Sequence, residues 1–153
     1  MYKKCIDLLE ERGVSMQDIV DCVVFLQKEF LKEIDEAKIR TNIVSVINKR
    51  EVQHAILTGI EIDVKTEENN FGNPLLNGII KDDQGLYGID EVLAYGICNL
   101  YGSIALTNFG YIDRVKPGII AELNSHAGGH CHTFLDDIVG AIAASAASKL
   151  AHG

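Results

Sequence analysis

Three observations predict an all-α fold. Apolar residues recur at intervals of three and four along most of the chain, no stretch shows the apolar and polar alternation of a half-buried strand, and 153 residues contain only two prolines, Pro74 and Pro117. A chain of this length fits one domain, residues 1–153, and buries roughly two-thirds of its unfolded surface. The expected architecture is a helical bundle with a central apolar helix surrounded by others.

Cys5, Ile6, Leu8 and Leu9 form a short apolar face that ends at Gly13. Ser15 then stands at an N-cap position ahead of Met16, Ile19, Val20, Val23, Val24 and Leu26 at helical spacing. Asp35-Glu36 opens a third segment, whose apolar period from Ile39 to Ile56 predicts one long helix, bent or straight, ending at Gly59. Thr66 to Pro74 is loop, and Asn73-Pro74 supplies cap and first-turn proline for a short helix ending near Asp82. Val92 to Ile112 holds 21 residues without a formal charge. Its length would span a hydrocarbon core, but Asn99, Ser103, Thr107, Asn108 and three tyrosines favour the central helix of the bundle. Pro117-Gly118 breaks the chain before a short apolar piece, Ile119 to Leu123, and Asn124 to His130 is a polar loop. Thr133 and Asp136 resemble a capping box for a last helix rich in alanine. Small residues at Ala94, Gly102, Ala143 and Ala147 predict close helix pairing within and between chains, hence a homo-oligomer.

Two adjacent acid pairs, Asp90-Glu91 and Asp136-Asp137, each follow a glycine-containing loop and open an apolar helix. Capping by solvated acids explains one such pair; two pairs, each against a helix that should be buried, point to a cation between them. Residues 66–153 carry 4 Lys and Arg against 10 Asp and Glu, so protein cations cannot neutralise them. Carboxylates are hard oxygen donors, the set preferred by Mg2+, with Mn2+ as the alternative ion. Asp113, Arg114 and Lys116 sit at a helix end and could complement its dipole or face a phosphate.

The overall formal charge of -8 disfavours nucleic acid as a partner. Four dispersed cysteines without a C-x-x-C, and a charged N-terminus, predict a reduced, cytoplasmic protein. His126, His130, His132 and Cys131 form a soft-ligand cluster, but their spacing matches no structural zinc pattern. No P-loop or covalent-phosphoenzyme signature is present, which leaves metal-activated water as the expected nucleophile.

The ordered elements Asp83-x-Gly85, Asp90-Glu91, Asp113-x-x-Lys116-Pro117, Gly128-Gly129 and Phe134-Leu135-Asp136-Asp137-Ile138-Val139 resemble the phosphatidylglycerophosphatase A family. With His54-Ala55-Ile56-Leu57-Thr58-Gly59, the likeness extends over nearly the full chain to the family's short, soluble YutG-like branch, an all-helical bundle. The resemblance implies Mg2+-dependent hydrolysis of phosphatidylglycerophosphate to phosphatidylglycerol, with a phosphorylated lipid or other small phosphomonoester as substrate and peripheral contact with a membrane. It implies Asp90, Glu91, Asp136 and Asp137 as metal ligands, Asp83 and Asp113 as further acids, and Lys116 facing phosphate; Asp83 or His126 would relay the proton. The sequence departs from the family in having Leu57-Thr58-Gly59-Ile60 where a Pro-Gly-Thr-x-Gly motif is expected, and Gly110 where the family has arginine. Two rival readings are an all-α Mg2+-dependent nucleotide pyrophosphatase, whose Glu-x-x-Glu spacing is missing around both acid pairs, and a metal-stabilised scaffold without activity.

Overall fold

A computed structural model describes residues 1–30, 32–125 and 127–151. Among these, all regular structure is helical: α1 (Tyr2–Glu11), α2 (Met16–Gln27), α3 (Glu36–Ile47), α4 (Arg50–Glu67), α5 (Pro74–Lys81), α6 (Ile89–Cys98), α7 (Ser103–Val115), α8 (Ile119–Asn124) and α9 (Leu135–Ala151), with a short 3-10 turn at Ala127–Gly129. The central helix is α9. Every residue from Leu135 to Ser148 is buried, and α2, α3, α4, α6, α7 and α8 pack around it. Its alanines remove side-chain bulk, so six neighbours can reach its axis closely.

Local chemistry sets many boundaries. Ser15 caps α2 through a reciprocal box in which the Asp18 N–H donates to Ser15 Oγ and the Ser15 N–H donates to Asp18 Oδ2. Asp35 accepts from the N–H groups of Ala37 and Lys38, and Asn73 does the same for Leu75 and Leu76 at the start of α5. Gly13, with φ of 90°, closes the α1 turn.

Four expectations change. The central role predicted for Val92 to Ile112 belongs to α9; that uncharged stretch is two helices, α6 and α7, divided by a turn over Asn99 to Gly102, where Gly102 takes φ of 97°. The long third helix is likewise two, because Lys49 leaves the helical region (φ -71°, ψ 132°) between α3 and α4. Gly59 does not end α4. It lies where α4 meets α9, and a Cβ built there would fall 2.2 Å from Ile138 Cδ1 and 3.3 Å from Phe134 Cβ. Thr133 does not cap α9: its hydroxyl donates to the Ile80 carbonyl, while the N–H groups of Phe134 and Leu135 donate to Asp63 of α4 at 3.0 and 2.9 Å. Of the four small residues expected to pair helices, Ala94, Ala143 and Ala147 are fully buried and serve packing within one chain, while Gly102 is exposed. No helix of the described residues is long and apolar enough to cross a membrane.

Candidate functional site

Four chain segments deliver acids to one place. The first turn of α6 brings Asp90 and Glu91, the first turn of α9 brings Asp136 and Asp137, the end of α7 brings Asp113, and the turn after α5 brings Asp83. Asp113, Asp136 and Asp137 each present a carboxylate oxygen within 4.8 Å of the other two. Asp90 and Asp113 come close enough to the Asp137 side chain for a proton on one carboxyl to be shared with the other, the Asp137 N–H donates to Asp136 Oδ1 at 2.9 Å, and the charges of Asp83 and Asp113 act on both Asp136 and Glu91. Helix geometry explains the sharing of work within a pair. Neighbouring residues point about 100° apart, so Asp136 faces Lys116 while Asp137 turns toward α6.

Lys116 is the cation of this cluster. Its Nζ lies 3.1 Å from Asp113 Oδ1 and 3.5 Å from Asp136 Oδ2. It caps α7 in the left-handed region, with φ of 52°, and Asp83 adopts φ of 48°. Those are two of the three non-glycine residues with positive φ among the described residues, and a branched or long side chain there costs about 1 kcal/mol or more.

Electrostatics follow from burial with too little positive charge. Asp136 and Asp137 are only 5 % and 4 % exposed. Burial pushes the Asp136 carboxyl well above its ordinary range; Lys116 opposes this, but Asp83 and Asp113 add to it. Asp137 rises further still, through burial, then Asp136, then its bonds to Asp90 and Asp113. Glu91 is raised by burial and by Asp113 and Asp90. Burial works against the Lys116 ammonium, yet Asp136 and Asp113 outweigh it and hold its pKa above the usual lysine value. A proton or a cation must therefore lie among these carboxylates.

A second group of charged residues, not anticipated from sequence, backs the first. Asp63 is fully buried, and desolvation raises its carboxyl to about 7 despite the two N–H groups it accepts. Glu67, one turn further along α4, accepts the Cys131 N–H at 2.6 Å and pairs with Arg12, which also donates to the Cys131 carbonyl at 2.7 Å. Burial opposes ionisation of Glu67, but Arg12 and the Cys131 N–H bring its carboxyl below the ordinary value. The signal was present: Val52, Ile56, Gly59 and Asp63 lie on one buried stripe of α4, where an acid needs a partner.

The remaining candidates fall elsewhere. His126 lies outside the described residues. His130 and His132 stack at 5.8 Å, with His130 against Glu67 and His132 against Arg12, so their neighbours are the second group of charges. Thr58 is exposed and lines a cavity with His54, Ala55 and Leu93. All four cysteines are buried free thiols.

The fold and site together define an all-helical domain that gathers carboxylates from separate helix ends around a single lysine. The chain belongs to the phosphatidylglycerophosphatase A family, whose sequence profile matches residues 12–152. It is 53 % identical over 144 residues to YutG of Bacillus subtilis strain 168, covering 94 % of this chain and 86 % of that one. YpjQ of the same organism is 47 % identical over 146 residues, with 95 % and 81 % covered. Among solved structures, the low temperature requirement C protein from Listeria monocytogenes superposes with a TM-score of 0.94 at 54 % identity, and a Bacillus stearothermophilus protein with 0.95 at 50 %. Each covers 99 % of this chain and is itself covered to 94 %.

Proposed function

We propose that this chain is a divalent-metal-dependent phosphomonoester hydrolase whose substrate is phosphatidylglycerophosphate, releasing phosphatidylglycerol and inorganic phosphate. The observation that carries the reading is the convergence of Asp113, Asp136 and Asp137 within 4.8 Å, with Asp90 beside Asp137. The donor set fits Mg2+ or Mn2+: every candidate ligand is a carboxylate oxygen, and the buried pair is short of positive charge. Asp90, Glu91, Asp136 and Asp137 would hold the ion, with Asp113 beside them. When bound, such an ion polarises phosphoryl oxygens and lowers the pKa of a water positioned for attack.

The chain's own residues supply the rest. Lys116 keeps its proton and balances charge on the phosphate, steadied by Asp113 and Asp136. Asp83, held close enough to act on Asp136 and Glu91, is placed to take a proton from the attacking water. Family membership supports a phospholipid headgroup. So does the surface of the two helices that carry the acids, where Ile89, Val92 and Tyr95 on α6 and Tyr111 and Val115 on α7 are exposed and apolar.

Phosphate release from phosphatidylglycerophosphate, from soluble phosphomonoesters and from dUTP or dCTP, with and without EDTA, tests the proposal. EDTA-sensitive release from the lipid is expected. Nucleoside monophosphate from dUTP or dCTP would move the reading to a pyrophosphatase. No turnover of any substrate, with Mg2+ still raising Tm, would leave a metal-stabilised scaffold.

A further inference from the structure

The five residues ahead of the α9 acid pair are tied down from three other helices. Gly59, Asp63 and Glu67 occupy successive turns of one face of α4. Gly59 removes the side chain that would hold α4 away from Phe134 and Ile138. Asp63 then reaches the N–H groups of Phe134 and Leu135 with one oxygen each. Glu67 takes the Cys131 N–H, Arg12 of the α1 end takes the Cys131 carbonyl while pairing with Glu67, and Thr133 is anchored to the last turn of α5. Asp136 is the next residue along the chain.

A cap drawn from the same segment would satisfy these N–H groups as well. Thr133 stands at the right place for one, and its hydroxyl is used elsewhere. A cap carried by a different helix adds something a local one lacks: it fixes the rotation of α9 about its axis. Rotation by one residue, about 100°, would turn Asp136 away from Lys116 and Asp137 away from Asp90. We propose that Asp63, assisted by Glu67 and Arg12, is a positioning residue for the acidic site, setting the angle at which α9 presents Asp136 and Asp137 to a divalent cation. The proposal rests on the cation reading of that site given above.

Affinity for Mn2+ alone, measured by titration calorimetry on folded protein, tests it without substrate or turnover. Asp63→Asn keeps the shape but sets an amide donor against backbone N–H groups; Glu67→Gln is the second variant, less buried and safer for folding. Each should weaken Mn2+ by about tenfold to 100-fold, the range seen when groups supporting metal ligands are removed. Arg12→Lys should retain more affinity than Arg12→Met, a contrast that loss of side-chain bulk would not produce. Ser15→Ala and Asp35→Ala remove caps from α2 and α3, and each should lower Tm while leaving Mn2+ affinity at the parental value. Parental affinity in both Asp63→Asn and Glu67→Gln would overturn the positioning role and leave the cation site standing. A parent protein that binds no Mn2+ would overturn the cation site and the positioning role together.

Discussion

Helices α2 and α9 both begin with acidic first turns, yet their N-termini are held in opposite ways. At α2 the cap is Ser15, three residues from Asp18, in an exposed box closed within one turn. At α9 the cap is Asp63, 71 residues from Phe134 and fully buried. The first arrangement stabilises a helix end by satisfying its N–H groups in water, where a neutral or solvated acceptor suffices. The second places a carboxylate in the core at a desolvation cost and orients two more beside it. A helix start that only needs to exist is capped by its own sequence; one that must aim side chains is fixed by another element.

The largest expected difference between the two ends is in turnover. Asp137→Asn should reduce EDTA-sensitive phosphate release by at least about 100-fold, beyond the loss expected for supporting groups. It should also raise Tm in EDTA by relieving repulsion with Asp136. Asp18→Asn should change phosphate release by less than about twofold, because its effect is confined to the α2 cap. Equal losses in the two variants would erase the contrast.

Stability against pH comes next. Asp63 is raised to about 7, and Asp136 and Asp137 are raised as well, so between about pH 5 and 7 the folded chain binds more protons than the unfolded one. Stability in EDTA should therefore fall as pH rises across that window, by on the order of 2 kcal/mol from Asp63 alone. Thermal unfolding at pH 5 and pH 7.5 measures it. Asp63→Asn should flatten the profile, and Mg2+ should restore stability mainly at the higher pH. A profile that rises from pH 5 to pH 7.5 in EDTA would contradict the buried-carboxyl account.

Glycine substitutions probe how closely α9 is approached. Gly59→Ala sets a methyl group against the side chains of Ile138 and Phe134 and should cost about 1 to 3 kcal/mol in chemical denaturation. Gly96→Ala, on the outer side of α6 with nothing within 4 Å, should gain about 0.5 to 1 kcal/mol. Ser15→Ala should cost a comparable amount, about 1 kcal/mol, with no change in the acidic site.

What the sequence disclosed follows the same division. Ser15, Asp35 and Asn73 were readable as caps because each acts on an N–H two or three residues away. The acids of the site were readable because both pairs stand at helix starts, where apolar residues follow at once. The break at Asn99 to Gly102 was not, since an uncharged stretch carries the same period whether it forms one buried helix or two half-exposed ones. The junction at Lys49 left no mark either, because the apolar repeat of α3 continues nearly in phase into α4. The partnership of Asp63 with Phe134 and Leu135 joins positions whose proximity exists only after the bundle has formed.

Lys116 and Asp83 stand in backbone conformations that glycine occupies at far less cost. Replacing either with glycine would relax the main chain and, at the same stroke, strip a charged group from the cleft. Selection for thermal robustness alone would therefore drift toward a sturdier, blunter molecule. Libraries screened only for heat resistance should accumulate glycine at these two positions, and the survivors would be the wrong ones to carry forward for turnover.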